Sequence, residues 1–166
     1  FSKKGGTAIA VDYGQATNNG KITMNAANGV GENRIGLFGA SSSKLENSGT
    51  GEIYLGTKGV GIWGANKIAS SVATWNKNID ITNAGKIEGI AGKEEVFGIY
   101  ADNDTTAYST ATSTINHSGI INLSQNKKSV GIYMTNGDLT STGAISVKEG
   151  SVGVDATNSN VTINGG

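Results

Sequence analysis

Apolar and polar residues alternate along this chain in short runs that return in a fixed order. The first run reads IAVDY at 9–13, IGLFG at 35–39, VGIWG at 60–64, FGIYA at 97–101, VGIYM at 130–134 and VGVDA at 152–156. Alternation with period two is the signature of a strand, with its first, third and fifth residues on one face. On that pattern Ile9, Ile35, Val60, Phe97, Val130 and Val152 are predicted to form one interior stack, with Val11, Leu37, Ile62, Ile99, Ile132 and Val154 beside it. The second position is Ala10, Gly36, Gly61, Gly98, Gly131 and Gly153, at steps of 26, 25, 37, 33 and 22 residues. Repetition at such a period implies a solenoid.

A second run follows each first one: NNGKITM at 18–24, NSGTGEIYL at 47–55, NAGKIEG at 83–89, HSGIINL at 117–123 and STGAISV at 141–147. Its apolar column is Ile22, Ile53, Ile87, Ile121 and Ile145, and Leu45, Ile81, Ile115 and Leu139 mark a third, shorter strand before each turn. Three strands per round cannot bury their apolar columns alone; stacking one round on the next does so. The prediction is an all-β chain, a right-handed parallel β-helix of about five coils and part of a sixth, since parallel crossovers take that hand. Residues 1–166 are expected to be one segment of a longer rod, since the string VTINGG at 161–166 stops inside a repeat. The distance from the glycine column to the turn is longest in the third and fourth rounds, which places loops near 66–77, with Trp75, and 102–112, with Tyr108.

Composition narrows the partners. The 26 glycines and the absence of proline suit tight corners and unbroken backbone ladders. Thirteen basic and thirteen acidic residues are scattered, giving a net charge of zero; nucleic acid and anionic membranes both need a basic patch, so neither is expected as a partner. No apolar run reaches the length of a membrane span, and without cysteine there is no disulfide framework and no thiolate metal site.

The repeated VGIY and NxGxI strings resemble the passenger repeats of very large type V autotransporter adhesins, particularly the fusobacterial kind, along essentially the whole chain. The resemblance implies a β-helix displayed outside the cell, held by a C-terminal outer-membrane barrel beyond this segment, with a host or bacterial surface protein or glycan as partner. It implies a structural and adhesive role for a monomer without cofactors. A polysaccharide-active β-helix enzyme and a passive spacer are the alternatives.

The candidate ligand-binding residues are the fourth-position aromatics Phe38, Trp63, Tyr100 and Tyr133, predicted to line up outward beside a bare glycine column, with Asp12 and Asp155 at the ends of the column. Trp75 and Tyr108 join them from the loops. Aromatic rings next to a shallow groove suit sugar rings or a partner's apolar anchor. The other reading is cross-strand packing that only stabilises the sheet. His117, the one histidine, shares the turn column with Asn18, Asn47, Asn83 and Ser141 and reads as a corner residue in an amide ladder. Lys21, Glu52 and Lys86 alternate in sign up an outer column. No aligned carboxylates occupy adjacent rounds, so no catalytic residue is assigned. Asp102, Asn103 and Asp104 offer oxygen atoms to a hard cation but lack the spacing of known calcium loops, so no metal site is assigned either.

Overall fold

The computed structural model describes residues 5–24, 34–40, 42–65, 78–103 and 112–165. Coil 1 comprises β1 (Gly6–Asp12), β2 (Gln15–Asn18) and β3 (Lys21–Thr23), and coil 2 comprises β4 (Arg34–Ala40), β5 (Lys44–Asn47) and β6 (Glu52–Leu55). Coil 3 is β7 (Val60–Ala65), β8 (Ile79–Asn83) and β9 (Lys86–Gly89); coil 4 is β10 (Phe97–Asp102), β11 (Ser113–His117) and β12 (Ile120–Leu123). Coil 5 is the long β13 (Val130–Ser141) with β14 (Ala144–Val147), and β15 (Val152–Ile163) supplies two thirds of a sixth. Every strand pairs in parallel with its counterpart one coil on, which makes the chain a parallel β-helix.

The strands form a ten-stranded sheet and a five-stranded one. The larger has two limbs, because β13 and β15 run around a corner that the earlier coils break. One limb is β1, β4, β7 and β10 with the first halves of β13 and β15. The other is β2, β5, β8 and β11 with their second halves. The corners use left-handed backbone at fixed places. Tyr13, Ser42, Asn136 and Asn158 precede the second limb by two residues, and Lys58, Glu95 and Lys128 precede the first by two, all with φ between 49° and 58°.

The lumen holds an aliphatic core. Leu37, Ile62, Ile99 and Ile132 enter from the first limb, Leu45, Ile81, Ile115 and Leu139 from the second, and Ile53, Ile87 and Ile121 from the small sheet, all at most 1% exposed. From coil 2 onward the three predicted strand types and their inward columns at position three of the first run, two before the turn, and the isoleucine of the second run are therefore as the sequence pattern required.

Two expectations are corrected. Ile35, Val60, Phe97 and Val130 do not stack inside: they lie half-buried on the outer face, and Val152 is 45% exposed. The glycine column, expected outside, faces the lumen instead. A Cβ on Gly98 would sit 2.5 Å from the Gly131 carbonyl oxygen and 2.9 Å from Ile121 Cγ2, and the same approach recurs at Gly36, Gly61 and Gly131. Inward glycines thus receive the isoleucines of the small sheet, and strict alternation breaks there because two successive residues, Gly98 and Ile99, both face inward. The register of coil 1 is the second correction. Ile9 pairs with Leu37, Ala10 with Phe38 and Val11 with Gly39, so Ile9 takes the third-position place predicted for Val11, and Asp12 pairs with Ala40, outside the aromatic column.

The turn column forms the expected ladder from Asn18 to His117, while the Ser141 hydroxyl donates to the Gly143 carbonyl oxygen at 3.5 Å instead of extending it. Asn18 Nδ2 donates to Asn47 Oδ1 and Asn47 Nδ2 to Asn83 Oδ1, both at 2.8 Å, and Asn83 Nδ2 lies 3.1 Å from His117 Nδ1. All four side chains are at most 5% exposed. Satisfying a buried amide from the coil above and the coil below fixes the axial register of the stack, since a lost partner costs about 1–3 kcal/mol.

Candidate functional site

The outward side of the first limb is apolar over four successive coils. Its fourth-position column is Phe38, Trp63, Tyr100 and Tyr133, in direct cross-strand register. The first-position column beside it is Ile35, Val60, Phe97 and Val130, which the sequence reading had placed inside. A strand face that carries aromatic and β-branched residues outward is unusual in a half-buried sheet, where the solvent side is ordinarily polar. The contrast with the other limb is plain: Gln15, Thr17, Lys44, Glu46, Asp80, Thr82, Thr114, Asn116, Asp138 and Thr140 occupy its outward positions.

Ring geometry within the face is specific. Phe38 meets Trp63 edge to face with centroids 5.8 Å apart, Trp63 meets Tyr100 likewise at 5.6 Å, and Phe97 packs perpendicular to Tyr100 at 5.4 Å. Tyr100 and Tyr133 stack at 4.7 Å with planes 14° apart. Such pairs contribute roughly 0.5–1.5 kcal/mol each beyond their area. Burial among these rings, followed by the nearby Asp102 carboxylate, raises the Tyr100 phenol above its ordinary pKa. The Trp63 Nε1–H is shielded and finds no acceptor among the described residues. The face is therefore a packed apolar surface rather than the bare groove expected from an outward glycine column.

Trp75 and Tyr108 lie outside the described residues, as do 66–77 and 104–111 as a whole. The described residues that flank those segments are tied down. Asn103 is buried; its Nδ2 donates to the Thr135 and Asn136 carbonyl oxygens at 2.7 and 2.9 Å and reaches Ser113 Oγ at 3.1 Å. Thr112 Oγ1 donates to Asn78 Oδ1 at 2.8 Å across the coil boundary. Each of those segments comes after a strand of the aromatic face, β7 with Trp63 or β10 with Tyr100, and before a strand of the polar limb, β8 or β11. The Asn103 amide thus holds coil 5 backbone through Nδ2 and Ser113 of its own coil through Oδ1, which accepts from Ser113 Oγ at 3.3 Å; Asp104 is outside the described residues. Among the described residues no group of three or more His, Cys, Asp or Glu side chains is placed to hold a metal ion.

On the small sheet, Lys21, Glu52 and Lys86 are in the predicted register. Their chemistry runs through Tyr54, a residue the sequence reading passed over. Lys21 Nζ and Lys86 Nζ lie 4.5 and 4.8 Å from its ring centroid, and its hydroxyl lies 3.2 Å from Glu52 Oε2. Lys86 pairs with Glu88 on its own strand at 2.7 Å, and the hydrogen bond to that carboxylate is the main reason its ammonium is held above the usual lysine range. Exposed pairs of this sort contribute about 0–1 kcal/mol and make no site.

No protein-family model, curated protein or solved structure matches the chain.

Proposed function

We propose that this chain is a structural and adhesive segment of a surface-displayed protein of the autotransporter type, whose rod holds the aromatic face away from the cell. The single observation that carries the reading is the apolar outward face of one limb, continuous over coils 2 to 5, on a rod whose other limb is polar outside. Its partner is a host or bacterial surface protein or glycan, bound along Phe38, Trp63, Tyr100 and Tyr133, with Val60, Phe97 and Val130 added to the contact. Trp75 and Tyr108, which lie outside the described residues, stay in the proposal as residues of the segments that follow β7 and β10 in the sequence. No catalytic role is assigned, since Asp12 and Asp155 do not share a column after all.

Binding of the segment to epithelial and bacterial cells and to a glycan array is the direct test, repeated with Trp63→Ala and Tyr100→Ala. Truncating a central aromatic anchor costs about 2 kcal/mol, a roughly thirtyfold loss of affinity. Both variants also lose ring contacts within the face, so circular dichroism and a urea titration must first show them folded. Affinity unchanged by both substitutions would reduce the rings to sheet packing and leave the segment a spacer.

A further inference from the structure

The amide ladder at the turn has a direction. Each asparagine donates through Nδ2 to the oxygen of the next coil, Asn18 to Asn47 to Asn83. Second bonds lock that sense: the Asn18 and Asn47 amides also donate to the Glu52 and Lys86 carbonyl oxygens at 3.3 Å, and Gly20 N–H donates to Asn18 Oδ1. The series therefore arrives at coil 4 as a donor, Asn83 Nδ2, and requires an acceptor there. His117 Nδ1 lies 3.1 Å away, while Nε2 lies 3.2 Å from the Ala144 carbonyl oxygen of coil 5. Only one neutral tautomer serves both contacts, with the proton on Nε2 donated to Ala144 and the Nδ1 lone pair accepting from Asn83.

We propose that His117 is an acid-sensitive joint of the rod: proton uptake at Nδ1 removes the acceptor on which the ladder ends and loosens coil 4 from coil 3 at that corner. Asn83 cannot answer by turning its amide over, because its Oδ1 already accepts from Asn47 and the reversal would have to run down to Asn18. Among the described residues the acceptor within reach of a proton on Nδ1 is the Asn83 carbonyl oxygen, 3.4 Å away, which already takes the Ser118 and Gly119 N–H groups at 2.9 and 3.0 Å.

Among the described residues no carboxylate faces the ring to stabilise the imidazolium. The charged residues of the strands packed around it, Asp80 on β8, Lys86 and Glu88 on β9 and Asp138 on β13, occupy outward positions, and Lys86 and Glu88 pair with each other. Burial accordingly lowers the His117 pKa from 6.5, only partly opposed by its backbone contacts to Ala144 and Asn83. A histidine depressed in the folded state binds its proton more readily when unfolded. Its contribution is therefore complete above the unfolded value near 6.5 and is lost as the pH falls from there toward the lower folded value.

The test compares wild type with His117→Asn, which supplies an amide oxygen to Asn83 and does not titrate. Between pH 7.5 and 5.0 the folded-to-unfolded ratio of the wild type, from urea titrations, should fall about threefold or more beyond any fall in the variant. Imidazole nitrogen NMR at neutral pH should show the proton on Nε2, with titration below the free histidine value. Equal losses in both proteins would overturn the proposal. If the variant fails to fold, the wild-type spectrum decides alone: a proton on Nδ1, or titration at or above the free value, would overturn it, and the Nε2–H form titrating below would support it.

Discussion

Ile99→Asp is expected to unfold the middle of the rod. Ile99 is fully buried and stacks in register on Ile62 of coil 3 and Ile132 of coil 5, with the Ile121 column opposite. Truncating such a side chain costs about 2–5 kcal/mol through lost burial and the cavity left behind. A carboxyl group there adds several kcal/mol more, because the aliphatic side chains packed around Ile99 offer it no hydrogen-bond partner. The sum approaches the whole stability of an ordinary domain of this size, roughly 5–15 kcal/mol. In a stack where each coil rests only on its neighbours the loss should spread through coils 3 to 5 first. Val60→Asp is the companion measurement. Val60 sits in the first-position column on the outer face, so its replacement should cost only about 1 kcal/mol or less. Circular dichroism and urea midpoints for the two variants check both statements. Equal damage would mean that Val60 is interior and the face described here is not on the surface.

That contrast also locates what the sequence could and could not give away. Coil number, strand order and the inward columns of the second limb and small sheet follow from residues that repeat in register, such as Ile53, Ile87 and Ile121. The first run defeated simple alternation because Gly98 and its equivalents turn inward beside the aliphatic residue that follows. A signal was present: an outward glycine has no reason to recur in successive coils, whereas one packed against an isoleucine and a carbonyl does. The register of coil 1 was also recoverable. Counting from Ala8 to Asn18 gives 10 residues, which matches the 10 from Gly131 to Ser141, while the chosen Ala10 gives 8. The apparent similarity of IAVDY to VGIYM outweighed that spacing.

The candidate site was half legible. Phe38, Trp63, Tyr100 and Tyr133 do form one outward column, because the residue after the inward aliphatic position must point out. Their surroundings were misread as bare backbone, and so Val60, Phe97 and Val130 were left in the core. The turn column was read correctly as a corner ladder, but its direction was invisible: which nitrogen donates to which oxygen depends on second bonds to Glu52 and Lys86 backbone that no linear pattern reports. Tyr54 was missed because its neighbours Lys21 and Lys86 belong to different coils, 33 residues before it and 32 after it.

Gly98→Ala should destabilise the rod far more than its size suggests. Adding one methyl group to a surface strand glycine ordinarily helps slightly, through reduced freedom of the unfolded chain. Here the new Cβ would lie 2.5 Å from the Gly131 carbonyl oxygen and 2.9 Å from Ile121 Cγ2. The isoleucine can rotate, but the carbonyl is main chain of β13, the strand paired in parallel with β10, and cannot retreat without shifting that strand. Overpacking of this kind costs typically 1–3 kcal/mol, and contact with backbone places Gly98 at the upper end of that range. Gly153→Ala provides the control, since Gly153 occupies the same column in coil 6 with nothing within 4 Å of its Cβ position. Its replacement should change stability by less than about 0.5 kcal/mol in this chain. Urea titration of the two single variants measures the difference directly. If Gly98→Ala proved as harmless as Gly153→Ala, the glycine column would not be packed against the small sheet, and the inward assignment on which the outer aromatic face depends would fall with it.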